Sequence, residues 1–135
     1  MKKFIAGILI CGFIVMVFIT YGSDNNVIVR IDHRYSGCFG SETNQLVVLN
    51  ENRKVKAYFK RKGDGISKDT VLSKCHVDSL NNFISSLKSL QWDGICTTTE
   101  YYVIKTKKET IRKEDGGCSW RGFHGLVRYF FGEID

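Results

Sequence analysis

From Asn26 the chain alternates between apolar and polar positions, then shifts to a longer period, then alternates again. In "NVIVRI", Val27, Val29 and Ile31 alternate with Asn26, Ile28 and Arg30, the two-residue period of a half-buried strand. "SGCFGS" breaks the pattern with glycines, and "QLVVLN" follows as a short apolar strand. "NENR" reads as a turn, and "KVKAYFKRK" then alternates cleanly. In that third strand Val55, Ala57 and Phe59 share one face and Lys54, Lys56, Tyr58 and Lys60 the other. "GDGISKD" is polar and glycine-rich, and reads as a loop.

The next segment has a helical period. Val77, Leu80, Phe83, Ile84, Leu87 and Leu90 recur at three- and four-residue steps, with Ser, Asn and Lys between them. This predicts an amphipathic helix, closed by the glycine of "QWDGI". "CTTTEYYVIKT" and "TIRKED" are then read as two strands joined through "TKKE". Trp120, Phe123, Leu126, Val127 and Phe130 return to helical spacing, with Ser119 a suitable N-cap. The predicted order is β-β-β-α-β-β-α. Adjacent strands favour antiparallel pairing, so the expected fold is α+β: about five antiparallel strands with two helices on one face.

The first 23 residues follow a different pattern. Lys2 and Lys3 precede an apolar run from Phe4 to Ile19, and Thr20 and Gly22 offer small residues at a cleavage spacing. This is the layout of a secretory signal peptide, and the run is long enough that an uncleaved membrane anchor through residues 4–21 is the competing expectation. Both place residues 24–135, a single domain, outside the cytoplasm: periplasmic or secreted, or held at the inner membrane. Cys11 follows Ile10 rather than a small residue, which argues against lipidation there.

Charge and cysteines refine the expectation. The 135-residue chain carries a net charge of +6, which falls to +4 without Lys2 and Lys3. A mildly basic exported domain suits an acidic protein or an anionic envelope polymer and does not call for nucleic acid. The domain keeps Cys38, Cys75, Cys96 and Cys118, an even number that predicts two disulfides in an oxidising compartment. A hairpin turning about Lys107 would set Cys96 opposite Cys118, each eleven residues from the turn, and leave Cys38 to pair with Cys75.

Candidate chemistry is sparse. "GGCSWRGFHG" gathers Cys118, Trp120, Arg121 and His124, but a bridged Cys118 is no nucleophile, and the stretch reads as a tied-down helix start. His33, Cys75, His76 and His124 show none of the short ligand spacings of zinc sites, so no metal or cofactor is expected. Glu42, Glu51 and Asp64 lie in loop-like segments with nothing to mark two of them as an acid–base pair. The most informative surface is the outward face of the third strand: Lys54, Lys56, Tyr58 and Lys60, extended by Tyr101 and Lys105. Rings among lysines suit an acidic partner, because contact and charge act together.

The "GCFG" segment after the first strand, the following hairpin, "LNNFISSLKSL" and the final strand pair resemble a group of small exported bacterial proteins of unknown function. The resemblance runs from about Gly37 to Ile134 and implies no activity. Where that group has a second cysteine followed by proline, this chain reads "SETNQ". The expectation is therefore a non-enzymatic, disulfide-braced binding protein of the envelope, of inhibitor or immunity type. The alternatives are a small envelope hydrolase using His124 or His76, and a membrane-anchored structural accessory.

Overall fold

A computed structural model describes residues 26–38, 40–91, 96–117 and 122–134. The expected N-terminal signal or anchor, Ser119, Trp120 and Cys118 lie outside the described residues. Eight elements follow in order: β1 (Val27–Gly37), β2 (Gly40–Glu51), β3 (Lys54–Lys62), β4 (Ser67–Val71), α1 (Lys74–Ser89), β5 (Thr99–Thr106), β6 (Thr110–Asp115) and α2 (Gly122–Phe131). All strand pairs are antiparallel in one six-stranded sheet of spatial order β4-β3-β2-β1-β5-β6. The α+β class is as expected; the strand count and order are not.

The additional strand is β4. Its sequence, "SKDTV", has only Val71 as a large apolar residue, and that side chain is half exposed. The strand is held as an edge by backbone pairing to β3, such as Tyr58 with Asp69, rather than by an apolar face. The glycines of "SGCFGS" do not interrupt the sheet but close the β1–β2 hairpin, with Gly37 paired to Gly40. Gly40 has φ +131°, a conformation that L side chains rarely adopt, and a side chain at Gly37 would meet Thr98 Oγ1 at 2.9 Å.

Both helices pack on the same face of the sheet. Leu80, Phe83 and Leu87 of α1 and Phe123, Leu126, Val127 and Phe130 of α2 bury against Val29, Ile31, Leu46, Val48, Ala57, Phe59, Tyr102 and Ile104. Val77, Ile84 and Leu90 are partly buried at the rim, so the helical stripe read from the sequence is the packed one. A capping box opens α1: His76 N–H donates to Ser73 Oγ, while Ser73 N–H donates to His76 Nδ1 at 3.0 Å. Among the described residues, no helix is long and apolar enough to cross a membrane.

One disulfide expectation, and the hairpin register behind the other, need correction. Cys38 and Cys75 are free, exposed thiols. Cys38 sits just past the C-terminal end of β1 and Cys75 in the first turn of α1, which begins near the opposite end of the sheet, where Leu72 N–H bonds Val55 O. Along eleven-residue β1 that is a separation of roughly 30 Å, against the 7 Å or less that a disulfide needs. The β5–β6 register also differs by one residue: Ile104 pairs with Ile111 and Glu100 with Asp115, so the turn centres between Lys107 and Lys108. The ladder ends there, and Cys96 N–H bonds Gly116 O at 3.2 Å. Cys96 is disulfide-bonded.

Candidate functional site

The two faces of the sheet carry different chemistry. On the helix-covered face, the apolar core gives way to polar side chains toward the end where α2 begins. His33, Asn44, Glu100 and Asp115 are all buried there. Strand parity places them: the inward positions of β1 run Val29, Ile31, His33, those of β2 run Val48, Leu46, Asn44, and those of β5 run Ile104, Tyr102, Glu100. Cross-strand register then makes neighbours of Asn44, His33 and Tyr102, and of Glu100 and Asp115.

Their contacts form a chain. His33 Nε2 lies 3.1 Å from Glu100 Oε2, and the Tyr102 hydroxyl donates to the same oxygen. Asn44 Nδ2 faces His33 Nδ1 at 3.3 Å and also donates to Glu42. A carboxamide N–H opposite Nδ1 requires the lone pair on Nδ1, so the ring proton of neutral His33 sits on Nε2 and donates to Glu100. Phe123 stacks on the imidazole with centroids 4.3 Å apart, and His124 meets it edge-on at 5.6 Å.

Burial pushes the Glu100 carboxyl up, but the hydrogen bonds from His33 and Tyr102 outweigh it and hold the group below its ordinary value. Burial first, then the hydrogen bond to Glu100, drives the Tyr102 phenol far up, so Tyr102 stays a donor. Two buried groups are incompletely matched: Asn44 Oδ1 and Asp115 Oδ2 have no hydrogen-bond partner. Asn44 and His124 also line a pocket of about 310 Å³ with Glu42, Arg61 and Arg128.

The sequence reading does not single out Glu100 or Asn44, and weighs His33 only with Cys75, His76 and His124 as a metal set whose spacing argues against one. His76, the other candidate for hydrolysis, is the N3 partner of Ser73 in the capping box of α1, packed beside Tyr129 with centroids 4.8 Å apart. His33 and His124 come together; Cys75 and His76 lie elsewhere.

The opposite face has no helix over it. Lys54, Lys56, Tyr58, Lys60, Tyr101 and Lys105 all stand on this open face, as their strand parity requires. Register gives their spacing: Tyr58, Val47, Arg30 and Lys105 form one row across β3, β2, β1 and β5, about 14 Å from end to end. Tyr101 lies beside Arg34 on the next-but-one row. Glu51 engages two of the six: Lys56 Nζ at 2.7 Å and the Tyr58 hydroxyl at 3.0 Å. The hydrogen bond from Lys56 holds the Glu51 carboxyl below its usual value, and the same contact raises Lys56.

The remaining charges on this face are poorly matched. Arg30 and Lys105 are direct cross-strand neighbours, and no described carboxylate pairs with either. Like charges so placed repel. Arg30 Nε is buried without a partner, and Arg30, Lys105 and Lys107 line a pocket of about 320 Å³. Exposed Tyr58, Val71 and Tyr101 add apolar surface to the same face.

A scan of protein-family models finds no match to this chain, and a search of curated proteins finds none either.

Proposed function

We propose that this chain is an exported, non-enzymatic binding protein that grips an acidic protein with its open sheet face, as an inhibitor or immunity-type protein does. One observation carries the reading: Arg30 and Lys105 stand side by side without a carboxylate, and Arg30 Nε is buried and unsatisfied beside them. An uncompensated like-charge pair at the centre of a sheet costs stability, and an acidic side chain from a partner offsets that cost. Tyr58 and Tyr101 supply ring contact around the charges, which favours a protein over a bare polyanion.

Export rests on the N-terminal lysine pair and apolar run, and is supported by the disulfide at Cys96. The Cys96 N–H bond to Gly116 O brings Cys96 close in space to the chain two residues before Cys118, which supports the Cys96–Cys118 pairing. An intact-mass measurement distinguishes a cleaved chain beginning near Ser23 from a full-length anchored one; a full-length soluble cytoplasmic product overturns both.

The binding role is tested with poly-L-glutamate as an acidic polypeptide and polyphosphate as a purely anionic polymer. Affinity should fall with salt, since screening shortens to about 8 Å at physiological ionic strength. Tyr58→Ala should raise the off-rate from poly-L-glutamate and leave polyphosphate binding unchanged. Equal effects of Tyr58→Ala on both would favour an anionic envelope polymer, and salt-insensitive or absent binding to both would overturn the reading.

A further inference from the structure

The polar cluster under α2 is unexplained by a binding role for the opposite face. We propose that His33, Glu100 and His124 form a binding site for a divalent transition metal of the zinc class, independent of the open face. Their ligating atoms all lie within 4.8 Å of one another. Two imidazoles and a carboxylate, with one position left to water, is a zinc-type donor set. The His33 Nε2–Glu100 Oε2 separation of 3.1 Å is already close to the roughly 3.4 Å edge of a tetrahedron with zinc-ligand bonds near 2.1 Å. His124 is exposed near the start of α2, so a rotamer change there can shorten the two edges it forms with His33 and Glu100.

Two further observations point to a cation. Glu100 and Asp115 are direct cross-strand neighbours, both buried, and Asp115 Oδ2 has no hydrogen-bond partner. Paired buried carboxylates call for positive charge close by. The second is Asn44. Metal binding at His33 Nε2 leaves the ring proton on Nδ1. Nδ1–H then needs an acceptor, and Asn44 Oδ1, buried and without a partner, supplies it once the carboxamide turns over. Glu42, which loses the amide donor, is partly exposed and has Arg61 Nε at 3.7 Å. The Tyr102 hydroxyl keeps Glu100 oriented.

Zinc and cobalt(II) binding to the full chain tests this, in a Cys38→Ser, Cys75→Ser background so that neither free thiol contributes. The expected result is one equivalent per chain, with the visible bands of four-coordinate cobalt and a raised unfolding midpoint, because metal stabilises the state it binds. His124→Ala, an exposed change that should keep the fold, should weaken zinc by at least about 100-fold, since loss of an outer-shell partner alone costs 10–100-fold. Glu100→Gln should abolish the four-coordinate cobalt spectrum. Absence of binding in the Cys38→Ser, Cys75→Ser background, or binding that His124→Ala leaves unchanged, overturns the proposal.

Discussion

A histidine with no solvent exposure, set in a row of Val, Ile and Phe, needs both ring nitrogens matched, and the residues around His33 show how that is met. Glu100 takes one nitrogen and Asn44 faces the other. Tyr102→Phe removes the hydroxyl donated to Glu100 inside the core, and urea unfolding should show a loss of about 1–3 kcal/mol. Glu100 also predicts a pH dependence. Its carboxyl is held below its ordinary value of 4.5, so the stability it contributes is present above about pH 4.5 and is lost as pH falls through the folded value. The stability difference between wild type and Glu100→Gln should therefore shrink between pH 5 and 3; a difference constant across that range would contradict the assignment. Little of this cluster was legible in the sequence. The parity of Val29 and Ile31 puts His33 inward only if β1 continues past Ile31, and the polar residues after it hide that continuation.

Elements were legible where an apolar period exists and hidden where backbone pairing alone defines them. The stripe from Val77 to Leu90 gave α1, and alternation across Lys54–Lys60 gave β3 and its two faces. β4 lacks an apolar period, so only its pairing to β3 identifies it. The one-residue error in the β5–β6 hairpin has a similar origin: "TKKE" contains no glycine or asparagine to mark the centre of its turn. The β2–β3 turn makes a sharper prediction. Asn52 and Arg53 have φ of 51° and 62°, the left-handed pair of a two-residue hairpin, where glycine is favoured at the second position. Arg53→Gly should stabilise the protein by up to about 1 kcal/mol in thermal unfolding, as relief of that strain exceeds the added chain entropy. Leu87→Ala, at a fully buried position where α1 meets the sheet, should cost about 2–5 kcal/mol.

Across the described residues, one sheet face builds the core and the other is left open to solvent. The sequence carried that division, because the alternation that buries Ala57 and Phe59 necessarily exposes Lys56, Tyr58 and Lys60. It did not carry the contribution of Arg30, which faces Lys105 only through the β1–β5 pairing of distant segments. The thiols divide similarly: alkylation without reductant should label Cys38 and Cys75, while Cys96 should react only after reduction. The open face predicts opposed effects of one substitution. Lys105→Glu turns a repelling cross-strand pair with Arg30 into an attracting one, so it should raise stability by about 0.2–1 kcal/mol while weakening binding.

The most direct measurement is poly-L-glutamate affinity for two charge-matched triple variants. Lys54→Glu, Lys56→Glu, Lys60→Glu alters the open face; Lys74→Glu, Lys88→Glu, Arg128→Glu makes the same net change on the helices. The account predicts at least about a tenfold loss for the first and near-native affinity for the second, with circular dichroism unchanged in both. Equal losses in the two variants, or none in either, would contradict it.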